Sequence, residues 1–161
     1  MNLNRLMKTC GMAIGGVMFA LACGQALQAQ PGSAAKIPAS ALMQPQELSQ
    51  TLNAAGAARP VILQVGSQVM FEESHIAGAE YAGPGSQESG LNLLRKRVAS
   101  LKRNTPVVIY CGCCPWTHCP NIWPAYKTLV GMGFTHVHAL YLADNFGTDW
   151  VSKGYPVEGR H

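Results

Sequence analysis

Four cysteines fall within nine positions of this chain: Cys111, Cys113, Cys114 and Cys119, in "CGCCPWTHC". Thiolates are nucleophiles, redox partners and soft-metal ligands, so three chemistries are open. Cys111-x-x-Cys114 has the spacing of a dithiol redox pair. Cys113, Cys114 and Cys119 are all candidate resolving or relay thiols, and Cys114 with Cys119 could instead close a structural clasp around their loop. Four thiols with His118 lack the paired-knuckle spacing of zinc sites. Cu(I), which accepts two or three thiolates, fits such a cluster more readily. The expectation is no resident metal and no cofactor, with a copper or zinc binding module kept as an alternative. Gly112, Pro115, Trp116, Thr117 and His118 make up the rest of the loop.

The elements around the cluster decide which thiol matters most. "TPVVIY" is an apolar, β-branched run that leads straight into Cys111, and "PVILQVG" and "FTHVHAL" are two more short strands. "QPQELSQTLNAAG" reads as a helix, with Pro45 in its first turn, Leu48 and Leu52 on one face and Gly56 as a stop. "SQESGLNLLRKRVASLKRN" places Leu91, Leu94, Val98 and Leu101 at helical spacing. "NIWPAYKTLVGMG" is a further helix, capped by Asn121, tolerating Pro124 in its first turn and ending at Gly131 or Gly133. "DNFGTDWVSKG" gives a last short helix. "SQVMFEESHIAGAEYAGPGS" reads as a long connection with one apolar piece around His75–Ala79.

Strands that are apolar throughout, alternating with helices, predict an α/β fold with a parallel sheet covered by helices on both faces. Ligands of such sheets gather at the carboxyl ends of the strands, which is where Cys111 stands. A loop of backbone N–H groups leading into a helix N-terminus would lower the pKa of a cysteine there. Position thus singles out Cys111 as the nucleophile, with Cys114 as its expected partner.

Composition bounds the rest. The chain has 161 residues, nearly half of them apolar and 12% charged, enough for one domain with one core. "MNLNRLMK" followed by "TCGMAIGGVMFALACG" and "QALQA" has the layout of a secretory signal ending at Ala29. The apolar run is short for a permanent span, so no stable membrane span is expected. The ending Leu21–Ala22–Cys23 also resembles a lipoprotein box, with lipidation at Cys23 as the alternative. Either reading exports the domain to the periplasm or beyond. Removing residues 1–29 takes away Arg5 and Lys8, leaving a net charge of +2, which makes no electrostatic case for nucleic acid. Residues 30–43 read as a linker and 44–161 as the folded domain.

Over about residues 44–158 the chain resembles a rhodanese-like (sulfurtransferase) domain. "ELSQTL" with "PVILQVG" is similar to the opening helix and first core strand. "SHIAGAEY" is similar to a His-Ile-Pro-Gly-Ala segment, and "PVVIYC" to the strand that delivers the catalytic cysteine. "LVGMGFTHVHAL" and "DNFGTDWVSKGYPV" resemble the following helix–Gly–strand and the terminal Trp-containing helix. The resemblance implies that Cys111 carries sulfane sulfur as a persulfide. Its partners would be a small sulfur-containing substrate or thiol acceptor, with a periplasmic redox partner in the oxidoreductase reading.

This sequence departs from the family pattern in three places. The loop after Cys111 is about five residues too long, and it holds no Arg or Lys before Tyr126. Gln64-Val65-Gly66 stands where Asp-Val-Arg is common. A thiol–disulfide oxidoreductase or sensor using Cys111 and Cys114 is the first alternative, and a non-catalytic interaction domain another. Elsewhere, His75 reads as fold support. His136 and His138 share a strand face, as packing groups or as a metal pair. Arg95, Lys96, Arg97, Lys102 and Arg103 form a basic helix face, solvated or docking an acidic partner.

Overall fold

A computed structural model describes residues 36–160. The signal reading of 1–29, the lipid-anchor reading of Cys23 and the first part of the 30–43 linker lie outside them. The remainder of that linker is part of the fold. Ile37 is buried, and strand β1 (Leu42–Met43) pairs in parallel with a later strand, Leu42 opposite Ala139. Two apolar residues beside an unsatisfied sheet edge were enough to extend the sheet, although their run was too short to read as a strand.

Helix α1 (Pro45–Asn53) follows, with Pro45 at its start and Leu48 and Leu52 buried. Strand β2 (Val61–Gln64) leads to helix α2 (Gln68–Glu73), which the sequence reading missed because none of its residues is buried and no apolar stripe marks it. Strands β3 (His75–Ile76) and β4 (Glu80–Tyr81), helix α3 (Glu88–Val98) and strand β5 (Val107–Tyr110) come next. After the cysteine loop come helix α4 (Ile122–Gly131), strand β6 (Val137–Leu140), helix α5 (Phe146–Asp149) and strand β7 (Val157–Glu158).

The main sheet runs β1-β6-β5-β2-β4, every pair parallel, with β5 at its centre. β3 and β7 form a separate antiparallel pair. Alternation along β5 divides the core. Val107 and Ile109 pack with Leu94, Val98, Ala125 and Leu129, the α3 and α4 side. Val108 and Tyr110 pack with Leu48, Leu52, Phe146 and Trp150, the α1 and α5 side. Both faces are therefore covered, as the uniformly apolar strands predicted, and the next residue of the alternation is Cys111.

The secondary candidates resolve into structural roles. His75 donates from Nδ1 to the Phe71 carbonyl at 2.7 Å and stacks on the Phe71 ring at 3.9 Å, while its Nε2 lies 3.8 Å from Glu158. These contacts tie α2 to the β3–β7 pair. His136 is exposed and bonded to Thr135 Oγ1. On the basic helix face, Arg95 pairs with Glu88, Arg97 forks onto Glu80, and Arg103 lies over the Phe134 ring. Exposed pairs of this kind contribute less than about 1 kcal/mol each.

Candidate active site

Cys111 is 5% exposed and forms part of the floor of a cleft of about 380 Å³. One wall is the end of α2, with Met70 and Glu73, and the other is the start of α5, with Asn145 and Phe146. Two departures from the expected sequence pattern have a physical reason here. Gln64, almost fully buried, donates from Nε2 to the Cys111 carbonyl at 3.4 Å and to the Ser67 carbonyl at 3.3 Å, and its Oε1 accepts from Gly66 N. It ties the ends of β2 and β5 together. At Gly66 a Cβ would stand 3.0 Å from Cys111 Sγ and 3.1 Å from its carbonyl oxygen, so the missing side chain leaves room for the thiol.

The cysteine loop is fastened across the cleft by two backbone bonds, Phe146 N to the Gly112 carbonyl and Trp116 N to the Ala143 carbonyl, each 3.0 Å. Gly112 has φ +75°, a left-handed conformation that turns the chain back on itself. That reversal brings Cys113 Sγ to 3.1 Å from Cys111 Sγ. Cys114 Sγ lies 3.5 Å beyond, against Cys113. The Cys111-x-x-Cys114 pair read from spacing is thus spanned by Cys113, which holds the contact expected of Cys114. Cys119, 3% exposed, hydrogen-bonds with Cys111 and Cys113 and accepts from the Asn121 and Ile122 amides.

This last arrangement corrects an expectation. The helix N-terminal amides that were to favour a thiolate at Cys111 instead serve Cys119, because the lengthened loop carries the chain well past Cys111 before α4 begins. Cys111 receives the Cys113 backbone N–H and the side chain of Asn121, whose Nδ2 donates to Cys111 Sγ at 3.2 Å. Asn121 is buried and makes no side-chain cap. Its Oδ1 accepts from Ser86 N at 3.0 Å, so it bridges the α3 approach and the thiol. A polar residue before a helix looks the same in sequence whether it caps the helix or faces a site.

The remaining loop residues divide. Trp116 is buried against Tyr141, ring centroids 5.1 Å apart. Pro115, Thr117 and His118 are exposed and do not line the cleft, and His118 Nδ1 is 2.9 Å from Thr117 Oγ1. Among the described residues, no group of three or more His, Cys, Asp or Glu side chains is arranged to hold a metal ion.

Charge in the cluster is unevenly placed. Hydrogen bonds with Cys111 and Cys119 hold the exposed Cys113 thiol far below its ordinary pKa. The bond to Cys113, that to Cys119 and burial push Cys111 up. Burial, then the bond to Cys113, raises Cys114 to about 12. Negative charge in the cluster is therefore favoured at Cys113, toward which its neighbours' S–H groups can donate. Besides Cys113, Glu73 is the only charged side chain among the described residues lining the cleft.

No protein-family model matches the sequence, and no curated protein matches it. Solved structures do. The BH2092 protein from Bacillus halodurans is 21% identical with a TM-score of 0.58, covering 74% of this chain and 77% of its own. The rhodanese-like domain of the Alr3790 protein from Anabaena sp. is 22% identical with a TM-score of 0.55, covering 74% of this chain and 80% of its own. The chain has a rhodanese-like fold. A second Alr3790 structure agrees, at 23% identity and a TM-score of 0.56, over 73% of this chain and 91% of its own. Within this rhodanese-like fold, the lengthened loop and its three additional thiols occupy the carboxyl end of the central strand.

Proposed function

We propose that the protein is an exported sulfurtransferase that carries sulfane sulfur as a persulfide on Cys111. The observation that carries the reading is the Cys111 thiol on the floor of a cleft at the carboxyl end of β5, in a rhodanese-like fold. Export rests on the leader layout of residues 1–29.

The attacking Cys111 thiolate, its proton given up to solvent, is held by Asn121 Nδ2 and the Cys113 N–H. Cys111 then attacks the outer sulfur of R–S–SH. The S–S bond breaks, Cys111–S–SH forms, and the departing R–S⁻ takes a proton from solvent. Glu73 and the Cys113 thiolate make the cleft negative, which disfavours a dianion such as thiosulfate and favours a neutral or cationic organic persulfide. The 3.1 Å pair of sulfurs favours a thiol–disulfide oxidoreductase as the second reading, with Cys113 rather than Cys114 as partner.

The test is intact-mass spectrometry of the Cys113→Ser/Cys114→Ser/Cys119→Ser protein, treated with cysteamine persulfide or with thiosulfate. A gain of one sulfur atom at Cys111, faster from cysteamine persulfide, is expected. No sulfur uptake by this folded variant, or full sulfur transfer by Cys111→Ser, overturns the assignment.

A further inference from the structure

We propose that the protein discharges its own persulfide as sulfide: Cys113 attacks the inner sulfur of Cys111–S–SH, expelling hydrosulfide and leaving a Cys111–Cys113 disulfide. The inference rests on the persulfide reading of Cys111 and adds a second step at the same site.

Distance selects the inner sulfur. Passing the outer sulfur from Cys111 to Cys113 requires three sulfurs in line, and with S–S bonds of roughly 2 Å the end atoms must stand about 4 Å apart or more. The two Sγ atoms are 3.1 Å apart. That separation is too short for a sulfur between them, whereas disulfide formation needs a closure of only about 1 Å. The reversal at Gly112 sets the approach, and the backbone cannot relax it freely. A Cβ at Gly112 would meet Phe146 Cβ at 2.7 Å, and the Gly112 carbonyl is held by Phe146 N. With Cys113 occupying one side of Cys111, the outer sulfur is left to the cleft, whose 380 Å³ accommodates the departing hydrosulfide.

Exposure gives the step its use. Cys111 is buried at the floor, out of reach of a bulky acceptor thiol, while Cys113 is exposed. The disulfide therefore presents its accessible sulfur to solvent, where an external thiol can attack it. The atoms balance. Cys113–S⁻ and Cys111–S–SH give the disulfide and HS⁻. Two external thiols then restore both cysteines and leave as their own disulfide. The net reaction consumes one organic persulfide and two thiols, and releases one thiol, one hydrogen sulfide and one disulfide. The class of reaction required upstream is one that makes organic persulfides, and the class required downstream is one that supplies thiol reductant.

The experiment is a single turnover without oxygen or added reductant, giving the wild-type protein one equivalent of cysteamine persulfide. One equivalent of sulfide and a protein lighter by two hydrogens are expected. Cys113→Ser should instead hold one added sulfur on Cys111, with sulfide release down by more than about tenfold. Cys114→Ser and Cys119→Ser should still form the disulfide, which keeps the assignment testable if one of them misfolds. Wild-type protein that keeps the added sulfur and releases no sulfide overturns this step and leaves the persulfide reading standing. A failure of both wild type and Cys113→Ser to take up sulfur removes the persulfide reading itself. Cys113→Ser carrying the donor's organic group, as a mixed disulfide, overturns the route through a persulfide.

Discussion

Replacing Asn121 by alanine removes the hydrogen bond from Ser86 N to Oδ1 and those from Nδ2 to Cys111 Sγ and, more weakly at 3.9 Å, to Cys113 Sγ. Asn121 is buried, so water does not readily replace them. Leaving the Ser86 amide unpaired costs about 1–3 kcal/mol of stability. The effect on Cys111 is separable from that loss. A hydrogen bond to an ionised acceptor contributes about 1.5–3 kcal/mol and one to a neutral acceptor about 0.5–1.5. The difference, about 1–1.5 kcal/mol, favours the thiolate alone and corresponds to roughly one pKa unit. Removing the donor should raise the Cys111 pKa by that amount. Below the pKa, the thiolate fraction and the alkylation rate then fall about tenfold.

The assay is the pH profile of iodoacetamide alkylation in the Cys113→Ser/Cys114→Ser/Cys119→Ser background, with and without Asn121→Ala. Asn121→Asp gives an internal comparison. It can keep the Ser86 bond, so it should lose less stability, yet it sets a carboxylate against the sulfur and should raise the pKa at least as far. Superimposed profiles for parent and Asn121→Ala, or a lowered pKa in Asn121→Asp, would refute the role assigned to this side chain.

Gly66→Ala should slow sulfur loading at Cys111 with little change in circular dichroism, because the new Cβ crowds the thiol and its carbonyl at about 3 Å. Glu73→Lys should raise thiosulfate loading relative to cysteamine persulfide several-fold, with the gain shrinking as salt is added. Trp150→Ala should cost about 3–5 kcal/mol in urea unfolding, since the ring is fully buried and its Nε1 donates to the Pro156 carbonyl at 2.9 Å. The cluster also predicts a stability maximum near the ordinary thiol pKa of about 8.5. Cys111 and Cys114 are held up, so their contribution is full below about pH 8.5 and is lost as pH rises through their folded values. Cys113 is held down, so its contribution is present above about pH 8.5 and is lost as pH falls toward its folded value. Denaturation midpoints across pH should show Cys113→Ser losing the acid-side slope, and Cys111→Ser/Cys114→Ser losing the alkaline-side one.

Three central strands are legible in the sequence because each is a short apolar run that a parallel sheet buries on both faces, as in "VILQ" and "VVIY". Helix α1 was legible from Pro45, Leu48 and Leu52, and α4 from its Pro, its buried face and its terminal glycines. Helix α2 and the two-residue strands β1, β3, β4 and β7 were not. Such short elements carry too few residues to show a period, and partners distant in sequence hold them in place.

The same division runs through the site. Sequence by itself determined that Cys111 ends the central strand, because hydrophobic run length and the strand-end rule are local and need no partner. It also determined that the loop beyond is long, rich in thiols and without a cation. Only the tertiary structure decided which sulfur faces which. The left-handed turn at Gly112 placed Cys113, and not Cys114, against Cys111, and the extra loop length gave the α4 amides to Cys119. Gln64 and Asn121 became site residues through contacts 47 and 10 positions away. A thiol's proton affinity depends on the donors, charges and burial around it, and those neighbours come together only when the chain folds.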